Sequence, residues 1–390
     1  MTRVRITQVE SFSVLAPGAR PSFAWRDGLR GGPVDGRVGV LCLRTDEGVA
    51  GVAVAQNRAS AVVLDDLVER LLREELVGTD PLERERIWHR IWELDRTEEF
   101  PIWLIGLVDD ALWDLAGRLY GSPTWEVLGG FRREIPAYAS TSTFASVGEY
   151  LEVVTQCIEL GYPAIKLHAW GDARRDADLC AAVREHVGAR FPLMYDGSAG
   201  FDLADAVYVG DALSEAQYLW YEEPMREFNV TAYKWLADRV SVPLNVAETS
   251  DGVHMSTELR GGFTGAMRIA HLADAFRLRA EPHGNTVYAR HLCMAIPNCT
   301  YYESLVTTNR VSASSGSTST AWSRHQRLRE LAFPWAPSTQ KNSRATSWIR
   351  PGIRSRVTPV SGSAQRHRSL KHKGAVAVLT ESKHHKDGRS

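Results

Sequence analysis

Three short apolar runs end abruptly in a carboxylate, at Asp196, Glu222 and Glu248, and successive members lie 26 positions apart. The runs read FPLMYDGS, YLWYEEP and PLNVAET; a fourth, AIKLHAW, precedes them and sets Lys166 and His168 about one repeat upstream. A period of this length, alternating an apolar strand with a helical stretch, is the sequence form of βα units. In a closed parallel barrel the strand C-termini converge on one face, where such folds place their active sites. Three carboxylates brought together there repel unless a cation lies between them, and an oxygen-only donor set suits Mg²⁺ rather than zinc.

The period extends in both directions. IPAYAST (135–141) opens it, and further strands centre near residues 166, 195, 221, 247, 281 and 302, with helical text such as EYLEVVTQCIELG and DADLCAAVREHV between them. That makes seven strands where the usual barrel closes with eight. The interval of 34 residues between 247 and 281 is too short for two units. The expectation is an α/β chain, a TIM barrel lacking one strand and its flanking turn around Ser256–Gly262.

Upstream, residues 4–15 and 38–56 read as strands of a small antiparallel meander, the second pair turning at Asp46-Glu47-Gly48. Between them, within Ser22–Gly36, lies the Gly- and Arg-rich text SFAWRDGLRGGPVDG, read as a mobile loop. Helical text fills 59–120. In IWLIGLVDDALWDLAGRLYG, Leu104, Val108, Leu112, Leu115 and Leu119 form one apolar face. Asp109, Asp110, Asp114 and Arg118 fall elsewhere around that helix and read as a solvated or ion-paired face. The chain thus divides into an α+β capping domain (1–130), a barrel domain (131–310) and a tail (311–390).

The tail differs in composition. It holds 15 basic against 3 acidic residues, leaving 31 against 44 in the preceding part, and it carries 15 serines with little sustained period. It reads as disordered. A basic, Trp-containing segment could bind nucleic acid, but no reading motif is present, and no nucleic-acid partner is expected. The five cysteines contain no C-x-x-C pair, which argues for a reducing compartment and against a disulfide frame or zinc site. The first residues lack the apolar core of a signal peptide, and no apolar run approaches the ~18 residues of a membrane span, so a cytoplasmic protein without a membrane partner is expected.

The ordered set DDALWDLAGRLYGSPTWEVLGG, KLH at 166–168, YDGS at 195–198, WYEEP at 220–224, AET at 247–249, EPHG at 281–284 and YYES at 301–304 resembles the enolase superfamily. The likeness is to its mandelate racemase/muconate lactonizing enzyme-like, acid-sugar dehydratase branch, and it spans roughly residues 4–305. The resemblance implies a capping domain followed by a modified (β/α)₇β barrel. It implies Asp196, Glu222 and Glu248 as Mg²⁺ ligands, His168 as the base, and Lys166 as the group that binds the substrate carboxylate and enediolate. His283 would be the acid on the opposite face, and Glu303 would lie near the substrate carboxylate. Glu223 is set aside, because a continuing strand turns it away.

The chemistry implied is abstraction of the proton alpha to a carboxylate, a carbon acid too weak for any side-chain base until the enediolate charge is stabilised. The expected reaction is dehydration of a sugar acid to a 2-keto-3-deoxy acid by a homo-oligomeric enzyme. The alternatives are a racemase or epimerase of a 2-hydroxy acid, or a catalytically defective relative. Three departures bear on that choice. His168 stands where a second Lys is common, Ser198 stands where a D-x-N pattern is usual, and the Asp that would orient His283 belongs to the strand expected to be missing. Neither Asp251 nor Asp274 clearly replaces it.

Overall fold

A computed structural model describes residues 3–20, 23–29, 34–55, 57–226, 228, 230–246 and 254–311. The N-terminal apolar segments pair as the sequence suggests. Strands β1 (Ile6–Arg20), β2 (Val34–Thr45) and β3 (Ala50–Val54) form an antiparallel sheet in the order β1-β2-β3. Burial alternates along β3, so every second side chain meets the helices that follow. These are α1 (Ser60–Leu67), α2 (Arg73–Leu76), α3 (Arg84–Glu98), α4 (Trp103–Tyr120) and α5 (Thr124–Val127). Leu104, Leu107, Val108, Ala111 and Leu112 of α4 pack with Leu41, Leu43 and Ala53 of the sheet in one core. The sheet approaches so closely at Gly51 that a Cβ there would lie 2.2 Å from the Ala111 carbonyl oxygen.

The solvated face expected on α4 is not solvated along its length. Asp114 pairs with Arg118 at 2.8 Å as anticipated. Asp109 and Asp110, however, are only 2% and 3% exposed. Helix α10 (Gly262–Ala275) packs on that side of α4 and presents its first turn there, so α4 is covered on two faces. Thr264 donates its backbone N–H (2.8 Å) and its hydroxyl (2.6 Å) to Asp109, and Phe263 N–H points at Asp110 Oδ1 (3.3 Å). These aspartates satisfy donors that α10 leaves open, since Gly261 at its start has no side chain to cap them. The indoles of Trp88 and Trp113 add bonds to Gly261 O (2.7 Å) and Thr264 Oγ1 (2.9 Å).

The repeating part forms strands β4 (Ala137–Thr141), β5 (Ile165–His168), β6 (Leu193–Asp196), β7 (Trp220–Glu222), β8 (Leu244–Asn245), β9 (His254–Met255), β10 (Glu281–Pro282) and β11 (Tyr302–Val306). Helices α6 (Val147–Glu159), α7 (Ala173–Val187), α8 (Leu203–Glu215) and α9 (Val230–Ala237) join the first five strands; α10 lies between β9 and β10, and α11 (Val287–Ala295) between β10 and β11. The parallel order β11-β4-β5-β6-β7-β8 brings the last strand beside the first, and β9 pairs with β10. The fold is the α/β barrel expected, with a correction at its weak point. A strand does stand in the gap, the two-residue β9, placed just before the stretch where the loss is expected. What the sequence lacks is the crossover. Eight residues separate β8 from β9, fewer than the dozen or more that a helical crossover needs.

Strand parity divides the barrel side chains. Ile165 and Leu167 of β5, with Leu193 and Tyr195 of β6, join the core shared with the surrounding helices. The intervening Lys166, His168 and Asp196 face the other way, above an interior layer of Tyr138, Ala164, Met194 and Trp220. No described helix is long and apolar enough to cross a membrane. All five cysteines are buried and free. The basic tail lies outside the described residues beyond Val311.

Candidate active site

Lys166 is the centre of the inward-facing group. It is fully buried, and its Nζ reaches Glu222 Oε1 in a short contact, Glu303 Oε1 at 3.0 Å and Asp196 Oδ2 at 3.7 Å. The register explains the convergence: β5, β6 and β7 are neighbours, with His168 opposite Asp196 and Asp196 opposite Glu222, while β11 carries Glu303 in from the far side of β4. Burial alone would discharge the ammonium, but Glu222, Glu303, Tyr138 and Asp196 outweigh it and hold the Lys166 pKa well above its ordinary value. Burial also pushes the Glu222 carboxyl well up; Lys166 opposes this, and Asp196 and Glu303 add to it. For Asp196 the balance reverses. Burial raises it, yet His168 and Lys166 together bring its pKa below the ordinary range.

His168 is 4% exposed. Its Nδ1 lies 2.7 Å from Thr141 O, which can only accept, so Nδ1 carries a hydrogen and Nε2 is the nitrogen turned toward the carboxylates. Nε2 lies 2.9 Å from Asp196 Oδ2. The indole of Trp25 covers the ring, with centroids 4.4 Å apart at an interplanar angle of 42°. Glu222 takes two further bonds, from Trp220 Nε1 (2.8 Å) and Asn245 Nδ2 (3.3 Å).

The opposite half of the pocket is thinner. His283 follows β10 and its Nδ1 stands 3.8 Å from Glu303 Oε2, within ion-pair range but beyond a hydrogen bond. Gly284 N–H donates to the same oxygen at 2.6 Å. Glu303 therefore connects Lys166 to the His283 loop. Strand β9, which precedes β10 in the barrel, supplies His254 and Met255 and no aspartate. Asp274 is exposed on α10, and Asp251 lies outside the described residues.

Of the seven residues singled out from sequence, the structure brings together Lys166, His168, Asp196, Glu222 and Glu303, with His283 at their edge. Glu248 lies outside the described residues. Glu223 is buried but breaks the strand with a φ of +36°, so it does not continue the alternation. Sequence reasoning passed over Tyr138, Trp220, Asn245, Thr141 and Trp25. Trp220 was within reach of the same parity argument, because it stands two residues before Glu222 on the same strand. Trp25 was not, since nothing local ties it to a histidine 143 positions later.

Among the described residues no three His, Cys, Asp or Glu side chains are already spaced around a metal position. The charge balance nonetheless fits a hard divalent ion. Three carboxylates, those of Asp196, Glu222 and Glu303, are each no more than 6% exposed and share one ammonium. The surplus negative charge adds to burial in driving the Glu222 carboxyl up, and a cation held by oxygen donors would relieve it.

Comparison with known proteins agrees with the barrel fold. The mandelate racemase/muconate lactonizing enzyme N-terminal domain profile matches residues 34–129, and the enolase C-terminal domain-like profile matches 149–324. A D-galactonate dehydratase family member of Marinomonas sp. (strain MWYL1) is 25% identical over 299 residues, covering 63% of this chain and 74% of the relative. The 3,6-anhydro-alpha-L-galactonate cycloisomerase of Streptomyces coelicolor is also 25% identical, over 71% of this chain and 82% of that one. Among solved structures, the D-glucarate dehydratase of Agrobacterium tumefaciens in complex with magnesium superposes with a TM-score of 0.69 at 29% identity, over 77% of this chain and 85% of that one.

Proposed function

We infer the activity from a premise that the two profile matches supply: the chain belongs to the enolase superfamily, in its mandelate racemase/muconate lactonizing enzyme-like branch. The proposed reaction is Mg²⁺-dependent abstraction of the proton alpha to the carboxylate of a sugar acid, followed by loss of the β-hydroxyl to give a 2-keto-3-deoxy acid. The observation that carries it is the buried contact of Lys166 with Asp196, Glu222 and Glu303, with His168 seated on Asp196. Relatives named as sugar-acid dehydratases support the substrate class.

Asp196 and Glu222, with Glu248, would hold the ion. A bound Mg²⁺ would supply Lewis-acid stabilisation of the negative charge that develops on the substrate carboxylate. His168 would take the alpha proton on Nε2 once Asp196, which that nitrogen faces at 2.9 Å, has turned to the ion, with the ring orientation fixed by the Nδ1 contact to Thr141 O. Lys166 offers a charged donor that its carboxylate neighbours keep protonated against burial, so it steadies the enediolate instead of competing as a base. His283 approaches from the opposite face and returns a proton to the departing hydroxyl, while Glu303 holds its loop through Gly284 N–H. Trp25 shields the His168 ring from water. We assign the meander and α1–α5 to a capping domain ending near residue 130, and the chemistry to the barrel at 131–310.

A panel of sugar acids incubated with the protein and Mg²⁺, then treated with semicarbazide, tests this reading. The expected result is a 2-keto-3-deoxy product from at least one substrate, absent with Lys166→Ala. A product of unchanged mass and inverted configuration would replace dehydration by racemisation. A folded protein that turns over none of the panel would leave the chain a non-catalytic relative.

A further inference from the structure

The capping loop touches the candidate metal half of the pocket at two points. Trp25 on His168 is the first, and the next residue makes the second. Arg26 Nε donates to Ser198 O at 3.0 Å, and Ser198 N–H donates to Asp196 Oδ1 at 2.7 Å. The barrel surface is shaped for this side chain. A Cβ at Gly200 would lie 2.9 Å from Arg26 Cδ, and one at Gly171 would lie 3.1 Å from it. Two backbone bonds seat the loop on either side: Asp27 N–H to Trp170 O (3.0 Å) and Thr143 N–H to Ala24 O (3.2 Å).

The turn that Arg26 grips is costly. Ser198 and Ala199 both have left-handed backbone, with φ of +47° and +54°, a conformation that is unfavourable for non-glycine residues. Such strain persists only where the surroundings over-determine it. On the barrel side, Gly197 N–H bonds Glu222 O (2.9 Å) and Ala199 N–H bonds Glu223 O (2.7 Å). Those bonds leave the Ser198 carbonyl to Arg26. Here Ser198 occupies the place where a D-x-N pattern is usual, so the side chain contributes less and the backbone carries the orientation of Asp196.

We propose that Arg26 is a positioning residue for the metal-binding carboxylate. By fixing the Ser198 carbonyl it holds the left-handed turn whose N–H orients Asp196, so that the docked capping loop and the cation site form as one unit. The proposal rests on the reading of Asp196 as a metal ligand. By linkage, ion binding and loop docking then strengthen each other by the same factor.

Mn²⁺ binding, followed by electron paramagnetic resonance with no substrate present, tests it. Arg26→Ala should weaken Mn²⁺ by about 10- to 100-fold, the usual loss when a group that orients a metal ligand is removed. Guanidinium ion added to Arg26→Ala should restore most of the lost affinity, which loss through general misfolding would not allow. Arg70→Ala, which removes an exposed ion pair with Glu98, should bind like the unsubstituted chain. Arg26→Ala binding Mn²⁺ within about twofold of the unsubstituted chain would overturn the proposal and leave the proposed function standing. Weakened binding that guanidinium does not restore would likewise count against Arg26 acting through Ser198. Absence of Mn²⁺ binding by the unsubstituted chain would overturn both.

Discussion

Replacing Asp109 by Asn should flatten the pH dependence of stability between about pH 5 and pH 7. Burial is the largest influence on Asp109 and pushes its pKa from 3.8 to about 7, against the pull of the two Thr264 donors and of Arg84; Glu85 adds to the rise. The folded state therefore holds this proton more tightly than the unfolded chain does. The stabilisation is complete below pH 3.8, declines as the unfolded chain ionises, and is lost as pH passes about 7. At about 1.4 kcal/mol per unit, the full shift amounts to roughly 4 kcal/mol, of which roughly 2–3 kcal/mol falls between pH 5 and 7. Asp110 moves with it: burial, then Asp109 and Glu258, hold the Asp110 carboxyl well above its ordinary value, so Asp109→Asn also relieves part of that rise and acts in the same direction. The substituted amide would keep one acceptor for Thr264 but turn an N–H donor toward the other Thr264 donor, a cost of about 1–3 kcal/mol that does not vary with pH. The assay is paired thermal melts by circular dichroism at pH 5 and pH 7. At about 2 °C per kcal/mol, the unsubstituted Tm should fall about 5 °C relative to Asp109→Asn over that range. A difference that stays constant, or that grows in favour of the unsubstituted chain as pH rises, would refute the reasoning. It would mean that the Thr264 donors and the α10 N-terminus outweigh burial.

Mg²⁺ should raise Tm in proportion to occupancy, by the equivalent of about 2.7 kcal/mol at a hundredfold excess over Kd, and Asp196→Asn should abolish that rise in calorimetry. Lys166→Ala should lower kcat at least about 10²-fold in the semicarbazide assay. It should also lower Tm, because removing one partner from a buried charge cluster costs about 3–5 kcal/mol. With a substrate in hand, His283→Asn should lose dehydration yet still exchange the alpha proton with D₂O, read by NMR, because the proposed mechanism assigns proton abstraction to His168 on the other face. Loss of both reactions together would assign His283 to proton abstraction.

Asp196 and Glu222 were legible in the sequence because each closes a strand, and the 26-residue spacing repeats the βα unit that brings strand ends together. Lys166 and His168 followed from parity: two residues apart on one strand, they must share a face. The expected loss of a barrel strand came from counting the same repeat. There the text misleads, because two residues suffice for a strand ladder but carry no period, and β9 contains only His254 and Met255.

Local patterning fixed which residues end a strand and which share its inner face, and with that the barrel and the Lys166, His168, Asp196 and Glu222 cluster inside it. Periodicity reports one apolar face per helix, so it could not show that α4 is covered twice, with Asp109 and Asp110 buried against α10. The docking of Trp25 on His168 and of Arg26 on Ser198, and the joining of the His283 loop to Lys166 through Glu303, were decided by tertiary structure alone. Each depends on backbone segments far apart in sequence meeting at contact distance, and only packing of the whole chain sets that distance.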